Sequence, residues 1–588
     1  MKKIAKLLFV VLLAVTLVAC GDDGGVASEP NKDFDKFVDE LPGKMFEETD
    51  YELNFFFEDK EAVGYKDVTY EFSLPSKKKY DKDLKDTKEF YEKVKDFKRS
   101  SLSEDQQLTY DVLLDAFDTE SDVSDKANYY LSTNYLDSVY GEPGNLPLNL
   151  YFYKFRTKND IDSYINLLKT SPEYFVGLAK HEQERQDKGY GMTPSQIEAV
   201  IKQCDDFIKA DHAFLIESFN EKINSFEGLE DAKKKEYIET NKKYVKEGIV
   251  KAYSDLKTEL EKLDVKTKKD EGYASVYKDG KEYYEELIYA NTGFDDVEDY
   301  REYLEDKSKE LLKKAREAVN VSEEVYNKVF AESAENGVIY TKATSPQETI
   351  EQLENDIKED FPEIRKVEYQ MEIVPKSMQS IFSAAAAYFT SPVDSLDAKE
   401  MMVLNGEYKQ DEFLTIAHEG FPGHMYQIQY YKEFGDAPMI RQLLGYSGYT
   451  EGYANYVEQY SAKYAIDAEA AEAYTYLQQY SYAEILLLDI RIHYDGISEE
   501  KAKKEFNKLY SGQLSEEDLK SAYEQLLHTP GIFSKYYGAG FRLTDLRESI
   551  KSEMGDDYTD KKYHKALLDV GPASYKIVEE YIQNQLLD

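Results

Sequence analysis

Apolar side chains recur at every third or fourth position from about residue 34 to 345 of this 588-residue chain, between long stretches of charge. The clearest case is residues 234–263, KKEYIETNKKYVKEGIVKAYSDLKTELEKL, with one stripe formed by Tyr237, Ile238, Tyr244, Ile249, Tyr253, Leu256 and Leu260. Such spacing puts the stripe on one face of an α-helix and the charges on its solvated face. The sequence therefore predicts a mainly α protein.

Segments with the pattern of a β-strand are few. Residues 145–155, NLPLNLYFYKF, are expected to form a strand or a buried turn. Residues 381–408 contain two candidate short strands, in IFSAAAAYFTSP and MMVLNGEY, and helical spacing resumes over 472–494. A small β element is thus expected within a helical body.

The first twenty residues, MKKIAKLLFVVLLAVTLVAC, have the pattern of a bacterial secretion signal. Their apolar run, from Leu7 to Ala19, is shorter than the roughly 20 residues that span a bilayer. Leu17-Val18-Ala19-Cys20 resembles a lipobox, so we expect residues 1–19 to be removed, Cys20 to be lipidated and residues 20–33 to form a flexible tether. The protein would then be anchored to the membrane outside the cytoplasm. The alternative is an ordinary cleaved signal with a chance cysteine.

Net charge excludes one class of partner. The chain carries 116 acidic against 74 basic residues, a formal charge of −42, which repels nucleic acid and anionic lipid. Besides Cys20 the only cysteine is Cys204, so no intramolecular disulfide is expected once Cys20 is lipidated. We expect Cys204 to lie in the core or on a helix flank.

Residues 418–424 read HEGFPGH and contain two of only seven histidines. Catalytic zinc sites use three protein ligands, commonly two histidines and a glutamate, and a nearby carboxylate can accept a proton from water. His418 and His424 are therefore candidate zinc ligands, with Glu419 as the base. His181-Glu182, in HEQER, lacks a second histidine and is expected to lie on a surface helix face.

The third ligand is sought in GYTEGYANYVEQY, where Glu451 and Glu458 share one helical face. We prefer Glu451 as the ligand, because it lies at the start of that helix beside Gly452. Glu458 would then stand behind the ligands or remain a solvated charge.

Six residues separate the two histidines, which puts them about 120° apart on a straight helix and roughly 9 Å apart along it. Pro422 removes a helical hydrogen bond, and Gly423 adopts backbone angles that other residues avoid. We therefore predict a kink or bulge that turns His424 back towards His418. The alternative is a Pro-Gly helix end flanked by two ordinary histidines.

HEGFPGHMYQ resembles the H-E-x-x-P-G-H-H-x-Q motif of the bacterial domain-of-unknown-function family 885, which is grouped with the HExxH zinc peptidases. Further segments agree in order over roughly residues 145–588: TEGYANYVEQY, AEILLLDIRIHYDGISEEKA, HTPGIFSKYYGAGFRLTDLR and YHKALLDVG. Met425 replaces the family's second consecutive histidine, and Tyr453 its tryptophan. The replacement at Met425 suggests that this histidine is not an essential ligand.

The resemblance implies further site residues. Tyr536 matches a family tyrosine and would stabilise an oxyanion, with Tyr537 as the neighbouring alternative. Arg491 and Arg547 match family positions and would either hold a substrate carboxylate or serve as ion-pair partners. His493, His528 and His564 are isolated, so structural or substrate-edge roles are expected for them.

Taken together, we expect an elongated, two-lobed, metallopeptidase-like helical body with the small β element beside an active-site groove. Residues 34–345 would form a helical N-terminal lobe and residues 346–588 the catalytic lobe. The predicted function is zinc-dependent hydrolysis of peptide-like amide bonds. A non-catalytic peptide-binding lipoprotein and an amidase acting on small or cell-wall-derived amides are the alternatives, and the oligomeric state is left open.

Overall fold

Helices dominate the computed structural model, which describes residues 30–587 except 127, 332, 334, 335, 380–384, 436 and 511, and no side chain within 120–128. The predicted signal peptide, Cys20 and residues 21–29 of the predicted tether lie outside the described residues, and residues 32 and 33 already belong to a helix. Within the described part of the chain, no helix has the length and apolar character needed to cross a membrane.

Sixteen helices precede the sheet in the described residues. They are α1 (Lys32–Asp39), α2 (Leu53–Phe56), α3 (Lys77–Lys95), α4 (Glu104–Lys126), α5 (Asn128–Ser132), α6 (Glu142–Phe152), α7 (Lys158–Lys188), α8 (Pro194–Lys209), α9 (Ala213–Ser225), α10 (Asp231–Tyr244), α11 (Lys251–Leu260), α12 (Tyr273–Val276), α13 (Gly280–Thr292), α14 (Val297–Val319), α15 (Glu323–Val329) and α16 (Pro346–Asp356).

Three strands and ten further helices complete the described chain. They are β1 (Tyr369–Ile373), β2 (Ala386–Phe389), β3 (Glu400–Leu404), α17 (Phe413–Glu419), α18 (His424–Phe434), α19 (Ile440–Leu443), α20 (Ser447–Tyr460), α21 (Ala468–His493), α22 (Glu499–Leu509), α23 (Glu516–His528), α24 (Ala539–Met554), α25 (Asp560–Val570) and α26 (Tyr575–Leu587). Val245–Val250 and Ser534–Gly538 are π-helical. Short 3-10 turns occupy Pro42–Lys44, Arg99–Ser101, Ile357–Glu359, Gln410–Glu412, Ser461–Tyr464 and Gly555–Asp557.

The predicted helical stripe over 234–263 is confirmed, since α10, the π-turn and α11 run on without a break and bury Tyr237, Ile249, Tyr253 and Leu256. Helix α21 likewise confirms the expectation for 472–494. His181 and Glu182 do lie on a helix, but the prediction of a surface face is wrong. Glu182 is 1% exposed and pairs with Arg185, while His181 is 8% exposed. Cys204 is buried in the core, as expected.

The expectation of a strand or buried turn at 145–155 is wrong, because residues 145–152 belong to α6 and residues 153–155 follow the helix without forming a strand. Leu146 and Leu150, four residues apart, are both buried, so the apolar spacing was helical rather than alternating. Pro147 inside the helix cannot donate to the carbonyl of Pro143. The hydroxyl of Tyr253 donates to that carbonyl instead, at 2.7 Å.

The sheet has the order β1-β3-β2, with β1 parallel and β2 antiparallel to β3. Strands β2 and β3 confirm the two strands expected within 381–408, and β1 was not predicted. Side chains of β3 alternate between two hydrophobic cores, Val403 facing one and Met402 and Leu404 the other. The sheet therefore separates the cores, and β2 is one of its edges.

The body is mainly helical and elongated. The first core is built mostly from residues between 51 and 260, and the second mostly from residues between 340 and 582. Helix α14, from the predicted N-terminal lobe, packs along α21 of the predicted catalytic lobe in a third core. The division at residue 345 stays a prediction.

Candidate metal centre

The HEGFPGH motif spans a break between two helices. Helix α17 ends at Glu419 and α18 begins at His424, and the backbone angles of Gly420 (φ −107°, ψ −103°) and Gly423 (φ −76°, ψ −137°) are not helical. The Phe421–Pro422 peptide bond is cis. The distortion is therefore larger than the predicted kink, since the helix stops and a second one starts in a new direction.

Close backbone contacts hold this break in place. The amide of Gly423 donates to the carbonyl of Ala417 at 2.9 Å, and the hydroxyl of Tyr453 donates to the carbonyl of Pro422 at 3.0 Å. A Cβ atom on Gly423 would lie 1.8 Å from the carbonyl oxygen of His418. Only glycine fits at this position without moving the backbone of a candidate ligand.

The break turns His424 onto the same side as His418. Their ring centroids are 4.9 Å apart, and Oε2 of Glu451 lies 3.2 Å from Nε2 of His424 and 3.8 Å from Nε2 of His418. One ligand atom from each of the three side chains lies within 4.8 Å of the other two. Among the described residues, this is the only group of three or more His, Cys, Asp or Glu side chains that converges in this way.

The donor set and its spacing fit a zinc ion. Zinc takes imidazole nitrogen and carboxylate oxygen at about 2.0–2.2 Å, so ligand atoms around a tetrahedral ion lie roughly 3.3 Å apart. Oε2 of Glu451 lies near this distance from both imidazoles, at 3.2 Å and 3.8 Å, and no two of the three ligand atoms are more than 4.8 Å apart, so side-chain movements would close the group around an ion. Three protein ligands would leave a fourth position for water.

Glu458 lies behind His418. Its Oε2 atom is 3.1 Å from Nδ1 of His418, and the two side chains are largely buried. A carboxylate at this nitrogen holds the proton on Nδ1 and leaves Nε2 to bind metal. Glu451 and Glu458 thus share one helical face, as predicted, but contact opposite nitrogens of the same ring.

The centre carries strong electrostatic coupling even without an ion. Although burial opposes it, hydrogen bonds from His418 and His424 hold the pKa of Glu451 well below its usual range. Burial likewise opposes protonation of His418, but hydrogen bonds to Glu451 and Glu458 raise its pKa well above its usual value. Glu451 therefore attracts both histidines, and Glu458 attracts His418 from the other side.

Glu419 lies between the ligands and the edge of the sheet. Its Oε2 atom accepts a hydrogen bond of 2.8 Å from the backbone amide of Tyr388 in β2. The Tyr388 hydroxyl in turn donates to the buried carboxylate of Glu400. The orientation of Glu419 is thus set by a strand that passes directly beside it.

A close helix crossing brings the predicted tyrosine to the centre. Helix α20 packs against the π-turn Ser534–Gly538, and a Cβ on Gly452 would lie 2.6 Å from Cβ of Ala539. Glycine at this crossing therefore allows Tyr536 to approach Glu451. Burial raises the pKa of Tyr536 well above its usual value, and the negative charge of Glu451 makes a smaller contribution in the same direction. Its phenol stays protonated and remains a hydrogen-bond donor.

Tyr537 is placed differently. Its ring stacks on Tyr482 at a centroid distance of 3.7 Å and on Phe533 at 5.8 Å. Burial raises the pKa of Tyr537 to about 12, and the charge of Glu458 makes a smaller contribution in the same direction. Tyr537 therefore belongs to an aromatic stack beside Glu458, whereas Tyr536 lies beside Glu451.

The two arginines form ion pairs on other surfaces. Arg491 pairs with Glu505, and Arg547 donates to Asp560 at 2.6 and 2.9 Å. Arg547 borders a separate cleft together with Lys463 and Lys551. The geometry thus gives both arginines the ion-pair role that was one of their two expected roles.

The three isolated histidines are also held by the protein. His493 is hydrogen-bonded to the Leu526 carbonyl, His528 to Ser195, and His564 to the hydroxyl of Tyr456. Burial lowers the pKa of His493 and of His564 to about 4. None of the three lies in the metal-ligand group.

Two residues of the centre were missed from the sequence. Tyr140 is 48% exposed, and its hydroxyl lies beside that of Tyr536. Nζ of Lys535 lies 5.3 Å from the ring centroid of Tyr140 and 5.0 Å from that of Tyr536. Lys535 could have been noticed as the neighbour of Tyr536. Tyr140 belongs to no motif, and only the fold brings it to the centre.

Several known proteins are similar to the chain. The family model described as "Bacterial protein of unknown function (DUF885)" matches residues 58–582. The crystal structure of "the putative lipoprotein from Colwellia psychrerythraea" has a TM-score of 0.79 at 15% identity, and that of "a putative lipoprotein of unknown function from Shewanella oneidensis" 0.58 at 16%. Each alignment covers 94% of this chain and 99% of the other, so the fold is shared.

A third solved structure, "a putative oligoendopeptidase F from Bacillus anthracis str. Ames", has a TM-score of 0.33 at 12% identity, covering 87% of this chain and 93% of that one. A score that low carries no argument about fold or function. None of the curated proteins matches the chain.

Proposed function

This chain belongs to the DUF885 family of bacterial proteins of unknown function, and on that premise we propose that it is a zinc-dependent hydrolase of peptide (amide) bonds. The observation that carries the proposal is the convergence of His418, His424 and Glu451 within 4.8 Å, with Glu458 behind His418. A ligand braced by a second carboxylate is typical of functional metal sites.

His418, His424 and Glu451 would hold the ion. Zinc in such a site acts as a Lewis acid and lowers the pKa of bound water from about 15.7 to about 7. Glu419 follows His418 directly and would accept the proton of the attacking water. Its hydrogen bond to the Tyr388 amide fixes one carboxylate oxygen and leaves the other for this task.

Tyr536 would stabilise the oxyanion that forms when water attacks the amide carbonyl. Its raised pKa keeps the hydroxyl protonated, so it can donate a hydrogen bond to developing negative charge. Lys535 and Tyr140 lie against the same ring and would limit its motion. Tyr537 is less suited to this role, because its ring is held in the stack with Tyr482.

A peptide is the substrate class that the surroundings favour. Strand β2 is an edge of the sheet, and the Tyr388 amide points towards Glu419 rather than towards β3. Successive residues of a strand direct their backbone N–H and C=O groups to opposite sides, so those of Ala386, two residues before Tyr388, also point away from β3. An extended peptide can pair with such an edge, which would lay its backbone beside the metal ligands.

We also propose that the protein is anchored outside the cytoplasmic membrane through lipidated Cys20. The LVAC sequence supports this, and so do the two structural relatives, each described as a "putative lipoprotein". Mass spectrometry of the mature N-terminus tests it, with Cys20→Ala expected to release the chain from the membrane fraction.

The enzyme proposal is tested with a mixed peptide library analysed by mass spectrometry, with and without a chelator. Wild-type protein should bind about one zinc per chain and generate new amine termini that vanish with the chelator. Glu419→Gln should keep the zinc and lose at least ~100-fold in hydrolysis. Glu407→Gln, which changes an exposed carboxylate just before α17, should behave as wild type.

Full activity of Glu419→Gln would show that the base is assigned wrongly. Peptide retention without any chelator-sensitive product would replace the enzyme by a peptide-binding lipoprotein.

A further inference from the structure

Away from the candidate metal centre, residues of the N-terminal half of the chain line a cavity of about 260 Å³. Five carboxylates line it, from Asp50, Glu52, Glu71, Asp83 and Glu142. Five tyrosines also line it: Tyr51, Tyr80, Tyr129, Tyr135 and Tyr174. The single basic side chain in the lining is Lys79. The cavity thus combines negative charge with aromatic rings, and the proposed hydrolytic centre uses none of these groups.

The acidic side chains of the cavity are not ordinary members of surface ion pairs. On α3, which carries Asp83, Lys82 pairs with Asp86 at 3.1 Å and Lys85 with Glu89 at 2.8 Å. In contrast, none of the five cavity carboxylates lies within 4.0 Å of a basic side chain in the described part of the chain. Lys79 offsets part of this charge from more than 4.0 Å away, and the cavity lining keeps an excess of acidic over basic side chains.

Glu142 gives the cavity a specific binding group. It is the first residue of α6, and its Oε2 atom is shielded from solvent and has no hydrogen-bond partner within the part of the chain that the structure describes. Leaving a buried carboxylate oxygen without a donor costs free energy, so such an atom indicates a missing partner. Burial, and after it the charge of Glu52, raise the pKa of Glu142 to about 7, and a hydrogen bond from the hydroxyl of Tyr174 in the cavity wall opposes this shift only in part.

A bare metal ion does not suit this cavity. Three ligands to one ion must converge, and among the described residues the only converging group is that of His418, His424 and Glu451. The cavity carboxylates are too widely spread for an ion but can surround a larger cation. Tyrosine faces add cation–π attraction, which guanidinium and ammonium groups receive in aromatic sites.

The cavity is linked to the candidate metal centre by one short segment. Tyr135 and Glu142 line the cavity, while Tyr140, between them, reaches Tyr536. Only Gly141 lies between Tyr140 and Glu142, so their Cα atoms are at most about 7 Å apart. A peptide at the metal centre could therefore extend a side chain a few residues away towards Glu142.

We propose that this cavity binds a guanidinium or protonated amine, supplied by a basic residue of a peptide substrate or by a free organic cation. Glu142 would accept the hydrogen bonds of the cation, and the tyrosines would enclose its alkyl chain. Only the substrate form rests on the proposed peptidase function, because binding of a cation requires no metal and no turnover.

The test uses two probes of nearly equal shape, Nα-acetyl-arginine amide and its uncharged counterpart Nα-acetyl-citrulline amide. Isothermal titration calorimetry of the full chain should show binding of the arginine probe at least ten times tighter than binding of the citrulline probe. A chelator should leave both affinities unchanged. Glu142→Gln should weaken the arginine probe at least tenfold, whereas Glu89→Gln, outside the cavity, should leave it unchanged.

Equal affinities for the two probes, or unchanged arginine binding by a folded Glu142→Gln protein, would overturn the proposal. Tyr135→Leu removes a ring that is 41% exposed and should weaken arginine binding without unfolding the protein, so it provides an independent variant. Peptide pairs with arginine or citrulline at one position then separate the sources. A substrate subsite is identified if kcat/KM is higher for the arginine peptide and this preference is lost in Glu142→Gln. A site for free cations is identified if the arginine probe binds but the enzyme shows no such preference between the peptides.

Discussion

Replacing Gly423 by alanine would put a Cβ atom 1.8 Å from the carbonyl oxygen of His418 and 2.4 Å from that of Ala417. Real Cβ atoms stay at least 3.0 Å from such neighbours, so this Cβ and the His418 carbonyl must move apart by about 1.2 Å. Functional constellations tolerate displacements of only about 0.5 Å, and a 1 Å misplacement costs roughly 100-fold in rate. We therefore expect Gly423→Ala to lower turnover by about 100-fold or more and to weaken zinc binding.

Zinc affinity is measured by competition with a chromogenic chelator, and folding by circular dichroism and thermal melting. Gly248→Ala is the matched control, because its Cβ would lie 2.0 Å from the carbonyl oxygen of Leu168, a similar clash in another core. It should destabilise the protein to a comparable degree but keep the zinc.

Zinc binding by Gly423→Ala at wild-type affinity would show that the break at 420–423 does not direct the ligands. Equal loss of zinc in both variants would attribute the effect to general destabilisation instead.

Three further outcomes are expected. Glu458→Gln should weaken zinc binding at least tenfold, because it removes the charge beside Nδ1 of His418; unchanged affinity in a chelator competition would contradict this role. Tyr536→Phe should lower kcat about 100-fold with little change in KM, whereas Tyr537→Phe should stay within a few-fold of wild type; the reverse order would transfer the oxyanion role to Tyr537. Burial raises the pKa of Asp489 from 3.8 to about 7, so folding favours the protonated carboxyl. The free energy of unfolding should therefore fall as the pH rises from about 4 to 7, by up to about 4 kcal/mol. Asp489→Asn should remove that loss and melt higher than wild type at pH 8 but not at pH 4; equal shifts at both pH values would refute the assignment.

The ligand types could be identified from the sequence, because histidine is rare in this chain and two occur within seven residues. Proline and glycine between them also indicated a disrupted helix. The sequence did not show, however, in which direction the break would turn the His424 side chain. It depends on the hydroxyl of Tyr453 and the carbonyl of Ala417, which hold the break from outside the Pro-Gly pair.

The errors have a common origin. Residues 145–155 are rich in apolar and aromatic residues and suggested a strand, but a hydroxyl from Tyr253 satisfies the carbonyl that Pro147 leaves unpaired within a helix. Glu182 looked solvated, yet it is buried, where it pairs with Arg185 and also accepts a hydrogen bond of 2.8 Å from the backbone amide of Met192, ten residues on. In each case a partner that the local pattern did not reveal decided the outcome.

By itself the sequence determined the helical class, the two short strands before the motif and the identity of the candidate zinc ligands. These depend on periodicity and residue chemistry within short segments, where neighbours along the chain dominate the energetics. Only the tertiary structure decided that Glu458 contacts Nδ1 of His418, that Tyr140 reaches Tyr536 and that four other carboxylates line the same cavity as Glu142. Those contacts join residues far apart in the chain, and they form because buried surfaces and unsatisfied polar groups must find partners wherever packing brings them together.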